Sequence, residues 1–190
     1  MRDTRGELLA QAERLVRARG WSGFSYADLA QAVGIRKASI HHHFRAKDDL
    51  ALALLAAYDA RYDAALAEAR AATGDALARI EAYGRLYGAG VDLGLGCLCA
   101  ALASELETLP GPLRAAVAGF FGKHVAWLET VLAEGVRDGS VRGSVAPPAQ
   151  ARMILATLEG ALMVERLLGG GEGFAATLAA LCDGLRPTRG

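Results

Sequence analysis

Helix-breaking residues are scarce in this chain. Five prolines and few β-branched side chains in 190 residues, set against heavy use of Ala, Leu, Gly and Arg, leave long uninterrupted segments that favour helix. No strand-like alternation and no internal repeat appear. Long apolar runs are missing as well. A bilayer-crossing helix needs about 20 apolar residues, and the best stretch, MILATLEGALMV, is shorter and carries Glu159. The opening MRDTRGELLAQAERL is charged and amphipathic, unlike a secretory signal, so a cytoplasmic chain with no membrane partner is expected. Cysteine is limited to three residues, an odd number that argues against a disulfide framework. Cys97 and Cys99 form C-x-C, not the C-x-x-C of zinc or thioredoxin-like redox sites. No nucleophile–base pair, phosphate-cradling glycine loop or metal-ligand spacing occurs, and GGGEG follows a helix instead of a strand. An enzyme is therefore not expected, nor a cofactor, nor a metal.

Net charge is also absent: 21 basic side chains balance 21 acidic ones. The distribution is less even. The first fifty residues hold nine Lys/Arg against six Asp/Glu, which places the more basic surface at the N-terminal end.

What is present is helical periodicity. Leu8, Leu9, Ala12, Leu15 and Val16 mark a first helix that Gly20 should stop. Ser25 is a good N-cap, and Asp28 three residues on completes a capping-box pattern. Leu29, Ala30 and Val33 give the second helix its apolar stripe until Gly34 breaks it, with Ile35 plugging the turn. A third helix holds Ile40, His43 and Phe44 on one face. Two short helices across a glycine turn describe a helix-turn-helix. Beyond it the pattern predicts helices from Lys47 to about Ala71, on to about Val91, through CLCAALASELETL, over residues 112–138, from Pro147 or Pro148 to Leu168, and a last one to near Leu185. GGGEG should act as a joint before the last.

The run His41-His42-His43 could suggest a metal site. Successive helical residues point about 100° apart, so the three imidazoles fan out and cannot converge on one ion. His43 is expected inward with Ile40 and Phe44, and His41 and His42 outward. The second helix of such a motif enters the DNA major groove with its N-terminal residues at base edges. Arg36, Lys37 and Ser39 supply donors there, and Lys47 could hold a phosphate beside the groove.

FSYADLAQAVGIRKASIHHHFRAKDDLALALL resembles the DNA-binding segment of the TetR family of bacterial repressors: Leu29, Ala30, Ala32, Gly34, Ile35, His43, Phe44, Lys47 and Leu50 stand in the family register. Arg36 stands where a capping Ser is usual, Ala38 where Gly is frequent and His41 where Tyr is usual. The resemblance implies an all-α fold of about nine helices. Residues 1–48 would form a three-helix DNA-binding domain, and residues 49–190 a ligand-binding and dimerisation domain. Ser25 and Tyr26 join Arg36, Lys37, Ser39, His41, His42 and Lys47 in the expected DNA-contacting set. A homodimer on palindromic double-stranded operator DNA is implied, held by the last two long helices. Phe120, Phe121, Leu128, Leu132, Ile154, Leu158, Ala161 and Leu162 are the expected interface.

The larger part should sense a small-molecule effector. Tyr58 and Tyr62, and again Tyr83 and Tyr87, share helix faces at a spacing of four, with His124 and Trp127 approaching from the long helix. An apolar or electrophilic molecule fits this set, although such an aromatic stripe also suits a plain core. GCLCAALASELETLP is similar to a segment of TetR repressors that respond to electrophiles and oxidants. Cys97 at a helix start could have an activated thiol, or both cysteines could be small buried hydrophobes. Control by a protein partner or by cysteine oxidation remains the alternative to reversible ligand binding.

Overall fold

The computed structural model describes residues 3–168 and 170–187. Among these, nine α-helices and no strand occur: α1 Thr4–Arg19, α2 Tyr26–Val33, α3 Lys37–His43, α4 Lys47–Ala72, α5 Ala76–Asp92, α6 Leu98–Ala103, α7 Gly111–Asp138, α8 Pro147–Leu168 and α9 Gly171–Leu185. Of the expected GGGEG joint, Gly169 lies outside the described residues, and α9 already begins at Gly171.

The local signals act as capping chemistry predicts. Asp3 accepts the Gly6 amide at the start of α1, and Gly20 ends the helix at φ +83°. Ser25 and Asp28 form a reciprocal capping box on α2. Gly34 closes α2 in the left-handed region at φ +72°, where a side chain would be strained. Ile35 N–H reaches back to Ala30 O at 3.0 Å, which fixes the turn.

One helix is shorter than expected. The segment CLCAALASELETL is helical only over Leu98–Ala103 and then makes a 3₁₀ turn over Leu106–Thr108. Ser104 Oγ donates to Ala101 O at 2.8 Å, a local bond that competes with helix propagation. Glu105 follows with φ −109° and ψ 27°, already outside the helix.

The described residues form two compact units. The first comprises residues up to Arg61 together with Gly96–Phe120. Its core joins Leu8, Ala12 and Val16 of α1 to Leu29, Ile40, Leu50, Leu54, Leu98 and Leu102, all fully or almost fully buried. The second comprises Tyr62–Leu95 and the residues from Phe121 on. There α5, α8 and α9 pack on one another. Gly84 of α5 lets α9 come close, since a Cβ at that position would sit 2.3 Å from a Leu178 methyl.

Six of the eight residues expected at a dimer interface are buried within the protomer. Phe120, Leu128, Leu132, Ile154, Leu158 and Leu162 are each 2% exposed or less and form the protomer's own core, while Phe121 and Ala161 are half-buried. The opposite side of α8 is the apolar surface that faces outward: Met153 is 55% exposed, Met163 64%, Val164 45% and Leu167 85%. Both sides of α8 carry apolar residues, and the chain's own core takes the one with Ile154, Leu155, Leu158 and Leu162.

Candidate nucleic-acid interface and sensor cluster

In the first unit, α2 and α3 meet at Gly34 as a helix-turn-helix. Arg36 caps α3 through its backbone alone, and its side chain stays exposed beside Lys37 and the half-buried Ser39. Ile40 and Phe44 carry the inward face, at 0% and 3% exposure. His43 does not join them. It is exposed together with His41 and His42. The helix ends at His43, and Phe44 turns to extended backbone at φ −139°, ψ 107°, which lets its ring alone enter the core. His43 and the exposed Arg45 therefore extend the outward polar edge, two residues that the reading of α3 as a continuing helix missed. His41 leans on Tyr26, ring centroids 5.2 Å apart, with Nδ1 3.2 Å from Arg45 O.

Two expected DNA contacts have internal work. Tyr26 is buried and its hydroxyl donates to Ala46 O at 2.7 Å, tying α2 to the turn before α4. Burial, then the charges of Asp49 and Asp48, push its pKa up to about 12. Lys47 is half-buried, with Nζ donating to Trp21 O at 2.5 Å and Phe24 O at 2.7 Å. Its ammonium also lies 4.3 Å from the Trp21 ring centre and 4.2 Å from that of Phe24. Burial draws the Lys47 pKa down, against the opposing pull of Glu105, Asp28 and Asp48. Lys47 thus staples the α1–α2 link and does not present an open ammonium to phosphate. Ser25 stays exposed; its hydroxyl donates to Asp28 Oδ2 at 2.6 Å, and that bond and the Ser25 backbone bond hold the Asp28 carboxyl below its ordinary pKa.

Facing Lys47 is a residue the sequence did not single out. Glu105 Oε1 accepts the Trp21 amide at 2.5 Å, and Oε2 accepts the Ser22 amide at 3.0 Å. Burial raises the Glu105 pKa, but the Ser22 and Trp21 hydrogen bonds and the Lys47 charge outweigh it and hold the carboxyl below its usual value. The partners lie 83 and 84 positions apart along the chain, and no local pattern announces them.

The expected sensor residues fall into two groups. In the second unit, Tyr62, Tyr83, Tyr87, His124 and Trp127 cluster. Tyr83 Oη lies 3.0 Å from Tyr87 Oη and 3.0 Å from His124 Nδ1. Trp127 stacks on the Tyr83 ring at 5.7 Å, and Tyr62 packs against both His124 and Tyr87. Tyr83, Tyr87 and His124 are 1% exposed or less. This is a hydroxyl–hydroxyl–imidazole chain inside aromatic walls. In the first unit, Tyr58 Oη lies 3.9 Å from Cys97 Sγ, and the Tyr58 ring packs against Phe120. Cys97 caps α6 and is 3% exposed; Cys99 is fully buried, as the hydrophobic reading allows. A surface cleft of about 410 Å³ also opens between α5 and α9, lined by Gly88, Val91, Phe174 and Leu178 among others, and none of the expected sensor residues lines it. Among the described residues no group of three or more His, Cys, Asp or Glu could hold a metal, and no helix is long and apolar enough to cross a membrane.

Two family models match this chain. Residues 8–54 match the family model for bacterial regulatory proteins, tetR family, and residues 75–181 match that for the tetracyclin repressor-like C-terminal domain. Transcriptional regulator AcuR of Cereibacter sphaeroides is 29% identical over 154 residues, covering 78% of this chain and 70% of that protein. The transcriptional repressor NemR of Escherichia coli is 29% identical over 163 residues, 84% of this chain and 82% of NemR. The crystal structure of a TetR-family regulator from Agrobacterium tumefaciens superposes with a TM-score of 0.92 at 32% identity, over 96% of this chain and 97% of that one.

Proposed function

The chain belongs to the tetR family of bacterial regulatory proteins and is a DNA-binding transcriptional regulator, not an enzyme; from that premise we propose that it is a cytoplasmic, homodimeric repressor that leaves a palindromic operator when a small effector binds. The observation that carries this reading is the exposed edge of α3: Arg36, Lys37 and three histidines project from a two-helix frame whose inward face is Ile40 and Phe44. Residues up to about 48 make the reader, and the rest senses and pairs.

The pairing surface is the outer stripe of α8, Met153, Met163, Val164 and Leu167, in place of the buried residues the sequence suggested. Such a patch is unusual for a monomer. Twofold pairing would set two α3 helices about 34–36 Å apart, one turn of DNA. The effector is an apolar molecule with one hydrogen-bonding group, matched to the Tyr83–Tyr87–His124 chain. An electrophile acting at Cys97 is the second reading, favoured by the Tyr58 hydroxyl beside Sγ.

Selection of random duplexes with the purified protein tests the whole. A twofold-symmetric site should emerge, and a compound screen against that complex should find a releasing molecule. No enrichment of any sequence would end the operator reading. Release by N-ethylmaleimide that survives Cys97→Ser would end the electrophile reading.

A further inference from the structure

The segment Gly96–Leu109 is fastened to α1 near its start and to the α1–α2 link near its end. At the start, Arg17 Nε donates to Gly96 O at 2.6 Å, and Arg17 is itself paired with Glu13. In the middle, α6 packs on α1, and its Leu98, Cys99 and Leu102 are buried. At the far end, Glu105 holds two successive amides of the α1–α2 link, as a bound anion would. Gly20 makes room for this: a Cβ there would lie 2.5 Å from Glu105 Oε1. Lys47 completes the arrangement by holding the carbonyls of Trp21 and Phe24 on the same link. The link thus has its donors on Glu105 and its acceptors on Lys47, and it leads directly into the Ser25 cap of α2.

We infer that Glu105 is a positioning residue for DNA binding: its carboxylate latches the Trp21–Ser22 link in the conformation from which α2 and α3 reach the operator. This rests on the operator reading above. The latch also gives the Gly96–Leu109 segment a mechanical route to the reader.

Charge provides a sign test. DNA is a polyanion, so removing a carboxylate near a DNA reader should by Coulomb's law alone tighten binding. The latch predicts the opposite. Affinity for the selected operator would be measured by titration at several salt concentrations for the parent, Glu105→Gln, Gly20→Ala and the control Glu107→Gln, an exposed neighbour that removes the same charge. Glu105→Gln should bind about tenfold more weakly, by the same factor at every salt concentration, because no phosphate contact is lost. Gly20→Ala, which crowds the carboxylate from the other side, should weaken binding likewise. Glu107→Gln should bind at least as tightly as the parent. Amide hydrogen exchange should show Trp21 and Ser22 losing protection in both latch variants, with unfolding temperature followed to confirm folding. Affinity equal to or tighter than the parent's in Glu105→Gln, or unchanged protection of the two amides, would overturn the latch. Loss of all sequence preference in the parent itself would instead overturn the operator reading.

Discussion

At the scale of the residue, the lesson of the reader is that charge and availability differ. Lys47 sits where a phosphate clamp is expected, yet two of its three N–H donors are committed to Trp21 O and Phe24 O. Lys47→Ala should therefore lower the unfolding temperature and weaken operator binding by one factor at all salt concentrations. Lys37→Ala, at an exposed position, should reduce the salt slope by about one. The two slopes, read from binding isotherms, separate the roles. Tyr26→Phe should cost about 1 kcal/mol of stability by losing the Ala46 bond, with little effect on the salt slope, measured by denaturant unfolding. Glu105 adds a pH dependence. Its folded pKa is depressed, so its contribution is complete above the ordinary carboxylate pKa and is lost as pH falls through the lowered folded value. An acid titration of the parent should therefore show a stability loss that Glu105→Gln lacks.

At the scale of the element, most boundaries were legible because they are set by local chemistry: Ser25 with Asp28 at the start of α2, Gly34 at its end, Pro147 at the start of α8. The faces of α8 were not. Ile154, Leu158 and Leu162 on one side and Met153, Met163 and Val164 on the other are all apolar, so two apolar stripes compete and periodicity does not choose between them. The end of α3 failed for a related reason. The spacing of Ile40, His43 and Phe44 is helical, but the helix stops at His43 and the inward place goes to Phe44 alone. The faces can be told apart by mutation. Leu158→Ala should cost about 2–5 kcal/mol in denaturant unfolding and leave protomer pairing intact. Val164→Glu should do the reverse: if the proposed pairing through α8 holds, sedimentation should give a dimer for the parent and a monomer for the variant, with helical content preserved.

At the scale of the whole molecule, the class of protein was visible from the helix-turn-helix register, and the aromatic cluster from pairs four apart on α5 with His124 and Trp127 on α7. The Glu105 contact was not visible, because it joins segments 84 positions apart through one carboxylate. Tyr83→Phe removes the hydroxyl at the centre of the polar chain. It should weaken a releasing compound about tenfold and leave effector-free operator affinity unchanged, measured by release titrations. The chain's two tryptophans make these events separable in unlabelled protein. Trp21 stands against the Lys47 ammonium in the first unit, and Trp127 stacks on Tyr83 in the second. Indole emission responds to a nearby charge and to loss of stacking. A Trp127→Phe protein would glow only from the reader and a Trp21→Phe protein only from the sensor, so that stopped-flow fluorescence of the two would give the order in which effector arrival and DNA release occur.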